Sequence, residues 1–163
     1  MTFDRDGNIF VCDSANSAIR KVTTAGDAST YARSSIDDTM WCSGIAFDKN
    51  GNLFVSDFYN KEIKKITPDG TIATFATVQA YPKGLVVDSH NNIFVNVDSI
   101  IFRIAPDGTK SIYAGTLRGS TDGPISVAQF NGLNGLAIDA QDNLYATDSQ
   151  TIRKITPDGY VKT

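Results

Sequence analysis

The 163 residues read as an all-β β-propeller of four-stranded antiparallel blades, with four blades to the chain. One stretch recurs four times, at 9–22 (IFVCDSANSAIRKV), 53–66 (LFVSDFYNKEIKKI), 93–104 (IFVNVDSIIFRI) and 144–155 (LYATDSQTIRKI). The corresponding residues Asn8, Asn52, Asn92 and Asn143 stand 44, 40 and 51 positions apart, the spacing of a blade repeated about an axis. Turn chemistry punctuates every module at short intervals, so each holds four strands and no helix. Blade limits fall at approximately 1–40, 41–80, 81–131 and 132–163, and one module of this size cannot bury both faces of its sheet alone.

The second module shows the elements most clearly. Gly44 to Asp48 is a short apolar strand, closed by the polar turn Lys49-Asn50-Gly51-Asn52, where Gly supplies a cheap positive φ. Leu53 to Asp57 returns as the second strand of a hairpin, Phe58 to Lys61 turns again, and Glu62 to Ile66 is a third strand of loosely alternating polarity. Thr67-Pro68-Asp69-Gly70 presets the last turn, and Thr71 to Ala76 is the fourth strand. Pro106-Asp107-Gly108 and Pro157-Asp158-Gly159 repeat that turn in the third and fourth modules, and Thr24-Ala25-Gly26 serves the first without proline. Met1 to Asp4 is a degenerate opening strand, and the fourth module reaches its last strand at Thr163.

Composition sets the partner classes. Hydrophobic residues make up 41%, charged residues 20%, and the net charge is −3, an ordinary globular balance. Nucleic acid is not an expected partner, because phosphate binding needs clustered cations. The basic pairs Arg20/Lys21, Lys64/Lys65 and Arg153/Lys154 recur at one repeat position and are expected on the solvated side of an outer strand. No apolar run approaches the ~18 residues of a membrane helix, and the start MTFDRDGN has no signal core, so a soluble chain without a membrane partner is expected. Cys12 and Cys42 are the only cysteines and are expected to be buried free thiols, with neither a disulfide framework nor a zinc site indicated.

With these residues in view, the repeat resembles the NHL repeat, whose wording is similar to G-[ILV]-A-[VF]-D-x-x-G-N-[IL]-[YF]-V-[AS]-D-x-x-N-x-x-I-[RK]-K-[IV]-x-P-D-G; Gly44 to Gly70 follows it nearly throughout. The resemblance spans the chain apart from an interruption at 116–134 and implies a β-propeller whose relatives usually carry about six blades. It also implies a bacterial protein of a mostly exported kind, secreted or on the cell surface. Four blades then require a tight ring, self-association into a larger homo-oligomeric ring, or further blades, and pairing of chains is the expectation. The family further includes gluconolactonase-like hydrolases that set Glu, Asn and Asp around an axial divalent ion; here the only Glu is Glu62, in an outer-strand position. Its His-ligated zinc lyase branch does not fit a chain whose only histidine is His90.

Recurring polar residues have an architectural explanation. Asp4, Asp48, Asp88 and Asp139 each precede a turn, where a carboxylate accepts backbone N–H groups, and Asp13/Asn16, Asp57/Asn60 and Asp148 belong to the next turn by the same logic. A catalytic constellation is asymmetric, so functional residues are sought where the repeat breaks. Those places are the connections into each first strand, with Trp41, Tyr81, Arg118, Asp122 and Phe130 as candidate binding residues. The competing expectation for the three aromatics is packing between blades. The long connection 115–131 is either a functional loop or a packed surface feature. His90 lies in a polar turn, no nucleophile elbow is present, and Cys42 is poorly placed to pair with it, so no catalytic residue, metal or cofactor is assigned. The expected function is a non-catalytic binding module for a protein, peptide or glycan, with a metal-dependent lactonase as the alternative.

Overall fold

The computed structural model describes residues 1–35 and 39–163. Strands form four antiparallel sheets in chain order, and the chain divides into two compact units, Met1–Pro82 and Lys83–Thr163. Among the described residues no helix is long and apolar enough to cross a membrane.

The first unit holds two blades. Blade 1 runs β1 (Thr2–Phe3), β2 (Ile9–Asp13), β3 (Ala18–Val22) and β4 (Ala28–Arg33), each hydrogen-bonded to the next. Blade 2 runs β5 (Cys42–Phe47), β6 (Leu53–Asp57), β7 (Glu62–Ile66) and β8 (Ile72–Thr77) in the same order. Their shared core includes Phe10, Ile19, Met40, Ile45, Leu53, Val55 and Ile66.

The second unit holds blade 3, β9 (Pro82–Val87), β10 (Ile93–Val97), β11 (Ile100–Ile104) and β12 (Lys110–Ala114), whose first strand begins at the unit boundary. Blade 4 comprises β14 (Leu133–Ile138), β15 (Leu144–Asp148), β16 (Thr151–Ile155) and β17 (Tyr160–Lys162). A fifth strand, β13 (Gly123–Pro124), comes from the long connection and pairs with β17 on the blade's outer edge. The connection is thereby a packed feature, which covers an edge that would otherwise invite foreign strands. At Gly84 a Cβ would lie 2.6 Å from the Leu136 backbone nitrogen, so only glycine lets β9 come this close to β14.

The first turn of each blade is built the same way. Asp4, Asp48, Asp88 and Asp139 each accept the backbone N–H groups two and four residues on, and the side-chain amide of the asparagine at the fourth, at 2.7–3.0 Å. Gly7, Gly51, Asn91 and Asp142 take the left-handed conformation within these turns, the residue types that adopt it most readily. Burial raises the Asp4 carboxyl, but the Asn8 side chain and the Asn8 and Asp6 N–H groups hold it below the usual range; Asp139 is lowered in the same balance.

A second recurring device went unread in the sequence. Strands three and four of blades 1 to 3 slip register at Ile19/Arg20, Ile63/Lys64 and Ile101/Phe102, leaving Tyr31, Phe75 and Tyr113 as the unmatched residues. Each sets its ring edge-on to a second-strand phenylalanine, Phe10, Phe54 or Phe94, at 4.9, 5.1 and 4.8 Å. The bulge thus turns an aromatic inward at the point where the outer strand curves.

Two expectations are corrected. Cys12 and Cys42 are not free thiols: they form a disulfide between β2 and β5, with Cα atoms 5.5 Å apart, because the second strand of blade 1 lies beside the first strand of blade 2. The basic pairs are not a solvated face either. Arg153 is fully buried, Lys64 is 4% exposed, and Arg20, Lys21, Lys65 and Lys154 are half-buried. Lys64 meets Glu62 at 2.9 Å, and the Lys21 and Lys154 ammonium groups sit over the rings of Phe10 and Tyr145 at 5.5 and 5.6 Å.

Candidate binding surface

Asp57 closes β6 fully buried and accepts the Trp41 N–H at 3.1 Å, and the Phe58 N–H donates to the Trp41 carbonyl at 2.9 Å. Asn60 Nδ2 donates to Asp57 Oδ2 at 2.9 Å and to the Thr39 carbonyl at 2.8 Å. The repeat's own turn residues therefore fix the connection that carries Trp41. Its ring, once fixed, touches Tyr59 at 5.3 Å; Tyr59 meets Phe58 at 5.2 Å, and Phe58 stacks on Tyr81 at 4.8 Å. Lys61 sits over Tyr81 at 5.2 Å.

The result is a ridge of four consecutive rings within the first unit. Trp41, Tyr59 and Tyr81 remain 45%, 62% and 48% exposed, although the Trp41 backbone is fixed through both its N–H and its carbonyl. Corresponding turns carry Ser14-Ala15 in blade 1 and Ser149-Gln150 in blade 4, so the ridge is not a feature of the repeat. Phe58 and Tyr59 escaped the sequence reading because they were treated as turn residues; adjacent aromatics in a turn that is otherwise small and polar were the available signal.

The other candidates lie in the second unit and do another job. Phe130 is fully buried in its core, so its ring is withheld from any ligand. Arg153 stacks over that ring at 5.1 Å and donates to Asp148 at 3.0 Å, to Asp122 at 2.7 Å and to the carbonyls of Gln129 and Thr121. Asp122 also accepts from the Thr163 N–H and hydroxyl, and the Thr163 N–H first, with Arg153, holds its carboxyl below the ordinary range. Arg118 pairs with Asp98 at 2.6 Å on the surface. These contacts bind the long connection to blade 4.

Of the other recurrent turn residues, Asp13 accepts both bonds from Asn16 Nδ2, and Asp148 accepts the Asn131 N–H at 2.7 Å. Ser89 and His90, in the first turn of blade 3, meet Asp142 of the first turn of blade 4, but the hydroxyl and the carboxylate both address His90 Nδ1. A nucleophile–base relay requires them on opposite ring nitrogens. Among the described residues no three of His, Cys, Asp and Glu gather in a metal-ligating group.

Four antiparallel sheets in chain order, each opened by the same turn, match a propeller-like fold of four blades. Residues 39–66 match the family model described as the NHL repeat. Among solved structures it is similar to a protein of unknown function from Bacteroides thetaiotaomicron, at 18% identity and TM-score 0.86, over 99% of this chain and 46% of that one. A catalytically inactive virginiamycin B lyase from Staphylococcus aureus crystallised with quinupristin matches at 20% and 0.76, over 98% and 52%. An auxiliary nutrient binding protein from Bacteroides ovatus matches at 21% and 0.77, over 99% and 45%. The chain thus spans about half the length of these structures, and the likeness concerns the fold. A search of curated proteins returns no match.

Proposed function

We propose that the chain is a non-catalytic binding module that offers the aromatic ridge of blade 2 to a protein, peptide or glycan. The observation that carries this reading is the run Trp41–Tyr59–Phe58–Tyr81: four rings in contact, three of them exposed, on the turn of blade 2 and the connections that flank it. Rigid aromatics give large contact area at little conformational cost, and they dominate binding energy where they occur.

Trp41 is the chain's single tryptophan, so its fluorescence reports directly on the ridge. Titration against panels of oligosaccharides and extended peptides is expected to shift Trp41 emission saturably. Tyr81→Ala is expected to weaken the selected ligand about 30-fold, equivalent to ~2 kcal/mol, while the melting temperature holds. Saturable binding that Tyr81→Ala and Tyr59→Ala both leave unchanged contradicts the assignment.

A further inference from the structure

Within the second unit, blades 3 and 4 enclose a cleft of about 370 Å³, a size at which pockets hold small molecules. Blade 3 lines it with Asn92, Phe94, Arg103 and Tyr113, and blade 4 with Asp142 and Pro157. Register brings the blade 3 residues together: Phe94 and Arg103 are cross-strand partners, and the bulge in the fourth strand sets Tyr113 edge-on to Phe94 at 4.8 Å.

Arg103 departs from the repeat. The fourth residue of the third strand is lysine in the other blades, Lys21, Lys65 and Lys154, and Lys21 meets the carboxylate of Asp4 at 3.7 Å. Arg103 instead donates to the Asn92 amide oxygen at 2.8 Å. Asn92 is itself only 6% exposed and anchored, because Asp88 accepts both its side-chain and its backbone N–H groups. A buried neutral amide thus aims the guanidinium, and among the described residues no carboxylate pairs with it. The carboxylates of the cleft are already committed: Asp88 closes its own turn, and Asp142 accepts the Ser89 hydroxyl and N–H at 2.6 and 3.0 Å.

Tyr113 departs in the same direction. Its counterpart Tyr31 donates its hydroxyl to the Thr67 carbonyl at 3.2 Å, whereas the Tyr113 hydroxyl has no acceptor among the described residues. Burial holds that hydroxyl above its ordinary range, against the nearby Arg103 charge, so it keeps its proton at neutral pH and remains a donor.

We propose that this cleft binds a small cyclic carboxylic acid, its carboxylate on Arg103 and the Tyr113 hydroxyl and its ring against Phe94 and Pro157. A guanidinium takes a carboxylate through two parallel N–H bonds, a match that an alcohol does not offer. A sugar acid and an aromatic acid both supply this chemistry. None of these residues belongs to the aromatic ridge, so the two sites stand or fall separately.

Isothermal titration calorimetry of the 163-residue chain compares glucuronate and benzoate with their neutral counterparts, glucose and benzyl alcohol. At least one acid is expected to bind saturably and at least ~10-fold more tightly than its counterpart, and which acid does so separates the two sources. Arg103→Gln is expected to weaken that acid at least ~10-fold and Tyr113→Phe ~5-fold, while Arg103→Lys restores only part of the loss. Arg103 is exposed and Tyr113→Phe retains the ring contact with Phe94, so the melting temperatures are expected to hold. Absence of binding at ~10 mM of either acid, equal binding of acid and neutral counterpart, or parent affinity in Arg103→Gln overturns the proposal.

Discussion

Arg153→Ala is expected to lower the unfolding free energy by about 3–5 kcal/mol, the range for removing one partner of a buried ion pair. Arg153 is fully buried, and its guanidinium is the meeting point of Asp148, Asp122 and two carbonyls of the long connection, with Phe130 beneath it. Truncation leaves the 2%-exposed Asp148 with its Asn131 N–H but without a countercharge. It also frees the segment that carries β13. Asp122, 40% exposed, loses much less when changed to Asn because water replaces the lost bond. Equilibrium urea unfolding measures both variants; an Arg153→Ala midpoint close to the parent contradicts this assignment.

Opening the Cys12–Cys42 disulfide is expected to cost about 3–4 kcal/mol, from the loop entropy that a crosslink across 30 residues removes from the unfolded chain. The bond joins β2 to β5 and so ties blade 1 to blade 2. Ser14 Oγ, which donates to the Cys42 carbonyl at 2.9 Å, is a weaker tie at the same seam. Cys12→Ser/Cys42→Ser is compared with the parent in urea, with and without dithiothreitol. Reductant is expected to lower the parent's midpoint to that of the double variant and leave the variant unmoved. A parent indifferent to reductant contradicts the bond's role. Disulfides persist in oxidising compartments, so the folded yield is expected to be higher on export than in a reducing cytosol.

How much of this was legible in the sequence follows from what repeats. Asp-x-x-x-Asn at the first turn and Thr/Ala-Pro-Asp-Gly at the last are local patterns, and local hydrogen bonds reproduce them in blade after blade. The disulfide was not legible, because Cys12 and Cys42 become neighbours only when two blades pack. Burial of Lys64 and Arg153 was hidden for a related reason: charge alternating along a strand marks the two faces but does not say whether a neighbour covers one. The aromatic bulges were readable in retrospect, as Tyr31, Phe75 and Tyr113 share one place in S-T-Y-A, A-T-F-A and S-I-Y-A. On the binding surface, Trp41 and Tyr81 were found because they break the repeat, whereas Phe58 and Tyr59 sit at repeat positions and differ only in side chain.

The chain's polar and aromatic residues divide into those that build every blade and those presented outward beside blade 2. Urea unfolding of the matched variants Asp4→Ala, Asp48→Ala, Asp88→Ala and Asp139→Ala addresses that division most directly. Each is expected to lose about 1–3 kcal/mol, since every one of these carboxylates satisfies two backbone N–H groups and one amide. Comparable losses in all four, with Trp41-reported ligand binding retained, are the predicted result. A single aspartate whose removal leaves stability untouched and abolishes binding or a turnover contradicts the account.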